Sequence, residues 1–155
     1  MIFARFNSKL SILSLVGTVL FFTHIGVLKA EGLIFKTNNK KVLEQGKVIY
    51  ADHCASCHGN NLEGEPNWRQ RKEDGKLPAP PHDMSGHTWH HPEQALFDVT
   101  KYGLAKLLND DQFQTDMPVF EDSLTDEEII AVLSYIKSTW PMEVQQRHDA
   151  MSAQQ

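Results

Sequence analysis

The hydrophobic positions of the chain form one continuous apolar stretch and a few shorter segments with helical spacing. The continuous stretch covers residues 10–28 and is interrupted only by Ser, Thr, Gly and one His. Apolar residues recur on one helical face over residues 41–53 and again after Thr125. Nowhere does the chain show the strict alternation of apolar and polar residues that is typical of a half-buried strand. The pattern therefore predicts an all-α protein.

The first and last helical segments are predicted to cross. Gly46 shares a face with Tyr50, and because Gly weakens a helix, its presence on that face indicates close contact with another helix. Thr125 and Glu128 have the spacing of a capping box, and Pro141 ends the apolar run that follows. The stripe of that run consists of Ile129, Leu133, Ile136 and Trp140. Two such helices crossing at Gly46 would form the core.

The region between these helices is predicted to contain one further helix and a long loop. Pro92 suits the first position of a helix that would run to Tyr102 and stop at Gly103. Residues 59–91 are rich in Pro, Gly and polar side chains, which predicts a loop with little regular structure. A loop of that length is unusual in a compact domain. A large rigid cofactor could order it and replace part of the core.

The composition fits a folded domain and excludes several classes of protein. The 155 residues suit one domain, and with 41% hydrophobic residues the chain is too apolar to be disordered. Residues 1–30 carry three cations and no carboxylate, so the remaining chain has twelve cations against twenty carboxylates. This acidic balance argues against nucleic-acid binding. Two cysteines are too few for a disulfide-rich scaffold.

The N-terminal residues indicate export. Arg5 and Lys9 precede the apolar stretch, as in a secretory signal, and Ala30 offers a cleavage site. The stretch is also nearly long enough to span a bilayer, so an uncleaved membrane tether through residues 10–28 is the alternative. Both interpretations place the rest of the chain in the periplasm or another extracytoplasmic compartment. We expect a signal peptide or anchor at 1–30, a tether at 31–40, the folded domain at 41–141 and a flexible tail at 142–155.

Residues 54–58 read Cys-Ala-Ser-Cys-His, the sequence to which c-type haem is attached. Two thiols on one helical turn can reach the two vinyl groups of a porphyrin, and the adjacent His58 can then ligate the iron. Cys54 and Cys57 are the only cysteines, so a zinc site would lack a second ligand pair. A thioredoxin-like motif would require alternating strands and helices, and a simple disulfide would leave His58 unexplained. The motif therefore predicts one covalent haem c.

A low-spin electron carrier needs a second axial ligand on the opposite side of the haem. Met117 precedes Pro118, which disfavours helical angles and places the methionine in an extended loop from which its thioether can project. Ligation by His and Met would raise the reduction potential of the haem. Met84 is the next candidate, and Met142, beyond the last predicted helix, is the weakest.

On these motifs the chain over residues 41–141 resembles the monohaem class I–type bacterial cytochromes c. The matching sequences are HCASCHG at 53–59, MPVF at 117–120, LTDEEI at 124–129 and YI at 135–136. The resemblance implies a mostly helical fold in which the N- and C-terminal helices cross around the covalent haem, with long loops. It also implies that the C-x-x-C-H residues hold the haem and that Met117 is its distal ligand. A Pro-containing loop, here 76–81, would accept a hydrogen bond from His58.

A second group of candidate ligands lies in the sequence PHDMSGHTWHH at 81–91. It contains Met84 and four histidines: His82, His87, His90 and His91. Imidazole and thioether suit copper or another transition metal, and one histidine could instead be the distal haem ligand. A histidine or Trp89 could also donate a hydrogen bond to the haem propionates. An exposed loop without any ligand accounts for the same composition, and the sequence leaves these interpretations open.

The resulting prediction is an exported electron-transfer protein rather than an enzyme, because a closed sixth position leaves no site on the iron for a substrate. Its partners would be redox proteins of a respiratory or other electron-transfer chain, bound transiently over a small area. An acidic surface favours a basic patch on such a partner. Two alternatives remain open: a haem-based sensor or ligand-binding protein in which Met117 is displaced, and an electron-transfer subunit of a larger redox enzyme.

Overall fold

The computed structural model describes Met1 and residues 33–154, and this part of the chain is helical without any strand. Its helices are α1 (Lys40–His53), α2 (Ala55–His58), α3 (Glu93–Tyr102), α4 (Leu104–Leu108), α5 (Asp126–Ser138) and α6 (Met142–Ser152), with one 3₁₀ turn at Thr88–His90. The predicted all-α class is confirmed. The signal peptide or anchor predicted for residues 1–30 lies outside the described residues. Among the described helices, none combines the length and apolar character needed to cross a membrane.

Helices α1 and α5 cross where the sequence predicted, at Gly46. A Cβ atom at this position would collide with the carbonyl oxygen of Ala131 and lie 2.9 Å from the Cβ of Tyr135. Only Gly therefore allows the two backbones to approach this closely. Tyr50, one turn further along α1, is buried with its ring centroid 5.7 Å from that of Tyr135.

The ends of the helices also follow the sequence signals. The Thr125 hydroxyl accepts the backbone N–H of Glu128 at 3.3 Å, and the Glu128 carboxylate accepts the backbone N–H of Thr125 at 2.8 Å, which completes the predicted capping box. The predicted stripe of α5 and its C-terminal turn is buried throughout: Ile129, Leu133, Ile136 and Trp140. Helix α3 ends at Gly103, whose φ of +82° is one that L residues rarely adopt. The short helix α4 that follows was not predicted.

The predicted flexible tail is wrong for residues 142–152, which form α6 and pack back onto the domain. Val144 and His148 on this helix are buried. The predicted tether at 31–40 is wrong as well over its described residues 33–40, because Phe35 is buried and its backbone N–H donates to a Glu93 carboxylate oxygen at 2.9 Å. The bounds 41–141 therefore leave out part of the folded domain at each end.

A buried ion pair joins these end segments to the core. The ammonium of Lys137, a residue only 1% exposed, lies 2.6 Å from a carboxylate oxygen of buried Glu93 and also contacts Asp149 on α6. The backbone N–H of Glu93 donates to the Ser152 hydroxyl at 3.0 Å. We call Lys137, Glu93 and Asp149 the α5 ion cluster. Its members belong to three helices, so no local hydrophobic pattern could reveal it.

Candidate functional site

Cys54 and Cys57 lie on one helical turn at the junction of α1 and α2. The backbone N–H of Cys54 still donates to Tyr50 at 2.9 Å, and the carbonyl of Cys54 accepts from the N–H groups of Cys57 at 3.1 Å and His58 at 2.9 Å. Both cysteines are free thiols, with Cys54 half-buried and Cys57 exposed. Burial, with a smaller contribution from Cys57, raises the pKa of the Cys54 thiol to about 11.

His58 is held by the loop that the resemblance indicated. Its side chain is buried, and its Nδ1 lies 2.8 Å from the carbonyl oxygen of Pro80, which falls within the expected range 76–81. Since a carbonyl can only accept, Nδ1 carries the proton and Nε2 presents a lone pair. Burial lowers the pKa of His58, although the bond to Pro80 opposes that shift. His58 is therefore neutral at pH 7 and has the tautomer that an axial ligand requires.

Two segments of the long loop lie side by side and fix Pro80. The backbone N–H of Glu65 donates to Ala79 at 2.9 Å, and the Glu65 carboxylate accepts the N–H of Ala79 at 2.6 Å. Gly64 has a φ of +68°, and a Cβ there would lie 2.7 Å from the carbonyl carbon of Pro80. The loop is thus closely packed at the point where it meets His58.

His82 stacks on His58, an arrangement that the sequence did not predict. The two ring centroids are 4.0 Å apart and the planes differ by 22°. The Nδ1 of His82 lies 2.8 Å from the Thr88 hydroxyl, and its backbone carbonyl accepts the indole N–H of Trp140 at 2.8 Å. Burial and the neighbouring His58 hold the pKa of His82 well below its usual range. This geometry makes His82 a packing neighbour of His58.

Met117 lies in the segment between α4 and α5, outside any helix, and packs partly buried against the core. Its backbone N–H donates to the Thr115 hydroxyl at 3.1 Å. The adjacent Asp116 pairs with Lys76 and lies 3.6 Å from the ammonium of Lys72. These ion pairs tie the Met117 segment to the loop that leads to Pro80. The role of Met117 as the distal ligand stays a prediction.

The histidines of residues 81–91 do not converge on one point. His82 packs on His58, whereas His90 stacks on Trp89 with the ring centroids 3.6 Å apart. His87 and His91 lie next to each other on the surface, with Nδ1 of His87 3.0 Å from Nε2 of His91. In the part of the chain that the structure describes, the buried indole Nε1 of Trp89 has no hydrogen-bond partner.

These groups fit a covalently held porphyrin. Two free thiols stand one turn apart, and the adjacent His58 has its Nδ1 occupied and its Nε2 available. The unpartnered indole N–H of Trp89 belongs to the loop that carries Pro80 and could serve a carboxylate of the cofactor. The arrangement is that of a c-type haem site on a helical scaffold.

Comparison with known families agrees with this description. The family model for cytochrome c matches residues 43–140, well over half of the chain. The chain therefore belongs to the cytochrome c family and has the haem-binding, electron-transfer role of that family. Members hold haem c covalently, and their domains are usually extracytoplasmic. No curated protein and no solved structure matches the chain.

Proposed function

We propose that the protein is an exported electron carrier with one haem c, attached through Cys54 and Cys57 and ligated by His58 and Met117. The observation that carries the proposal is the bond between His58 Nδ1 and the Pro80 carbonyl at 2.8 Å. It orients a neutral imidazole beside two free thiols, which is the arrangement an attached haem requires. When bound, haem iron would supply reversible one-electron chemistry.

The chain's own residues would bind and orient this group and exclude water. The Cys54 and Cys57 thiols provide the attachment points. Pro80 fixes the tautomer of His58, and His82, itself anchored by Thr88, restricts the rotation of the His58 ring by packing on its face.

Three observations favour Met117 over Met84 as the second axial ligand. Met117 is partly buried against the core, whereas Met84 is 40% exposed. Met117 lies outside any helix, as expected of the residue before Pro118. The ion pairs of Asp116 connect the segment with the loop next to His58, so the two ligand-bearing segments are held together.

We also propose that residues 1–30 direct export, as a cleaved signal or as an anchor, and that the partners are redox proteins with a basic docking patch. The excess of carboxylates over cations after residue 30 supports that charge complementarity. Electron transfer to such a partner should slow as the ionic strength rises.

Optical spectra of the intact haem protein test the ligand assignment. We expect the ferric wild type to show the weak sulfur–iron charge-transfer band in the far red, and the ferrous form to resist CO. Met117→Ala should abolish the band and admit CO, whereas the matched control Met84→Ala should change neither property. A wild type that is high-spin and binds CO would support a sensor or ligand-binding protein instead. Unchanged spectra in Met117→Ala would refute the assignment.

The subunit alternative is tested by isolating the protein gently from its own cells. A carrier should be recovered on its own. Stable recovery with a larger redox enzyme would favour the subunit interpretation.

A further inference from the structure

The turn at residues 87–91 holds two exposed imidazoles in contact. The Nδ1 of His87 lies 3.0 Å from the Nε2 of His91, and the ring planes are inclined by 73°. The intervening 3₁₀ turn, Thr88–His90, sets their spacing through the bond from the His91 N–H to the Thr88 carbonyl at 3.1 Å. Neither residue belongs to the haem site described above.

This turn is anchored to the domain at both ends. Before His87, a Cβ at Gly86 would collide with the carbonyl oxygen of Pro81, so the backbone is closely packed there. After the turn, the carbonyl of His91 accepts the Nε2–H of His148 at 2.8 Å. Trp68 stacks on the ring of His87 with a centroid distance of 5.3 Å. The pair is therefore preorganised by its surroundings.

The chemistry of the two ligands indicates which metal they would suit. At 3.0 Å the two nitrogens are within hydrogen-bond distance, so a metal ion bound by both would replace the proton that they share. Imidazole suits Zn, Cu, Fe and Ni, and among the divalent first-row metals Cu(II) binds such ligands most strongly.

Within Met1 and residues 33–154, no third His, Cys, Asp or Glu ligand completes the pair. Among the described residues, the only group of three or more His, Cys, Asp or Glu ligand atoms close enough to share a metal is Glu93, His148 and Asp149. The ammonium of Lys137 already lies between two of those carboxylates. Water would therefore occupy the remaining positions at His87 and His91.

We propose that His87 and His91 form a surface Cu(II) site separate from the haem ligands. The guanidinium of Arg69 lies over Trp68, 4.1 Å from the ring centroid, and Trp68 stacks on His87. Its positive charge opposes the bound cation. The site should therefore bind Cu(II) with moderate affinity, and removal of the Arg69 charge should strengthen the binding.

The test is a titration of the tag-free ferric haem protein with Cu(II), in a glycine buffer that competes for the metal. Binding is monitored by calorimetry and by the Cu(II) EPR signal. The thiols do not interfere, because they are consumed by haem attachment, which the visible spectrum reports independently. We expect one Cu(II) with nitrogen coupling in the wild type. His87→Gln and His91→Gln should each weaken binding at least about tenfold, the loss of one imidazole ligand. The matched control His90→Gln, in the same turn, should bind as the wild type does, and Arg69→Gln should bind more tightly.

Two results would overturn the proposal. One is equal affinity in the wild type, His87→Gln and His91→Gln, which would place the copper elsewhere on the protein. The other is no binding by the wild type while its haem spectrum is intact. Failure of haem attachment would appear in the visible spectrum and would count against the proposed function, not against the copper site.

Discussion

Helix α5 is held by two junctions of opposite chemical character. At Gly46 it meets α1 backbone to backbone, and the contact depends on the absence of a side chain. At Lys137 it meets α3 and α6 through the α5 ion cluster, and the contact depends on paired charges. A side chain added at Gly46 would disrupt the first junction, whereas loss of one charged partner would disrupt the second. The same helix thus depends on shape at one place and on electrostatics at another.

Gly46→Val should cause the largest loss, because the added carbons would overlap the Ala131 carbonyl. We expect the free energy of unfolding to fall by more than about 4 kcal/mol, beyond the range of ordinary substitutions. Helix propensity works in the other direction, since Val is slightly better than Gly in a helix. Gln45→Val, at the neighbouring exposed position, is the matched control and should cost less than about 1 kcal/mol. Equal denaturant midpoints for the two variants would disprove the crossing.

Lys137→Met should cause the next largest loss. It leaves the Glu93 carboxylate buried without its cation, which typically costs about 3–5 kcal/mol. Adding Glu93→Gln should recover part of the loss, because the uncompensated charge is then gone. The matched control is Lys101→Met, which breaks the more exposed pair with Asp126, also 2.6 Å long, and should cost at most about 1 kcal/mol. Similar losses for Lys101→Met and Lys137→Met would show that burial of the cluster contributes little.

The contrast between the two junctions also explains what the sequence could predict. Gly46 and the capping box at Thr125 are local signals, so α1, α5 and their crossing followed from spacing alone. The α5 ion cluster joins residues 44 and 12 positions apart, and its members looked like ordinary surface charges. The end segments therefore seemed to be a tether and a tail.

The features of the candidate site also divide into those that the sequence predicted and those that depend on how the chain folds. The C-x-x-C-H motif predicted haem attachment, and the family resemblance implied an acceptor for His58 within residues 76–81, where the structure has the Pro80 carbonyl. The stacking of His82 on His58 depends on how that loop folds back. Spacing could not predict it, nor which two of the four histidines in residues 81–91 would meet on the surface.

The smallest expected effect concerns His148, whose pKa is lowered by burial and by the nearby Lys137. Because the native state disfavours the protonated form, its contribution to stability is fully present above the unfolded pKa of about 6.5. This contribution to stability is lost as the pH falls from the unfolded pKa through the lower native pKa of His148. Glu93 and Asp149 also face this ring and partly oppose the shift.

Urea unfolding at pH 7 and pH 5 measures this effect. His148→Gln keeps a donor for the His91 carbonyl but cannot titrate, so it should lose less stability on acidification than the wild type. Gln45→Ala, at an exposed position without a titratable group, is the control and should keep the wild-type pH dependence. A wild-type dependence in His148→Gln would contradict the role assigned to this ring.

The most direct test of covalent haem attachment uses protein that has matured alongside a cytochrome c assembly system. The protein is extracted with acidified acetone, and its pyridine haemochrome spectrum is then recorded. We predict that the pigment stays with the polypeptide and shows two saturated thioether links, and that Cys54→Ala and Cys57→Ala each shift the spectrum toward one remaining vinyl group. Pigment that passes into the acetone, or protein that carries none, would contradict the account.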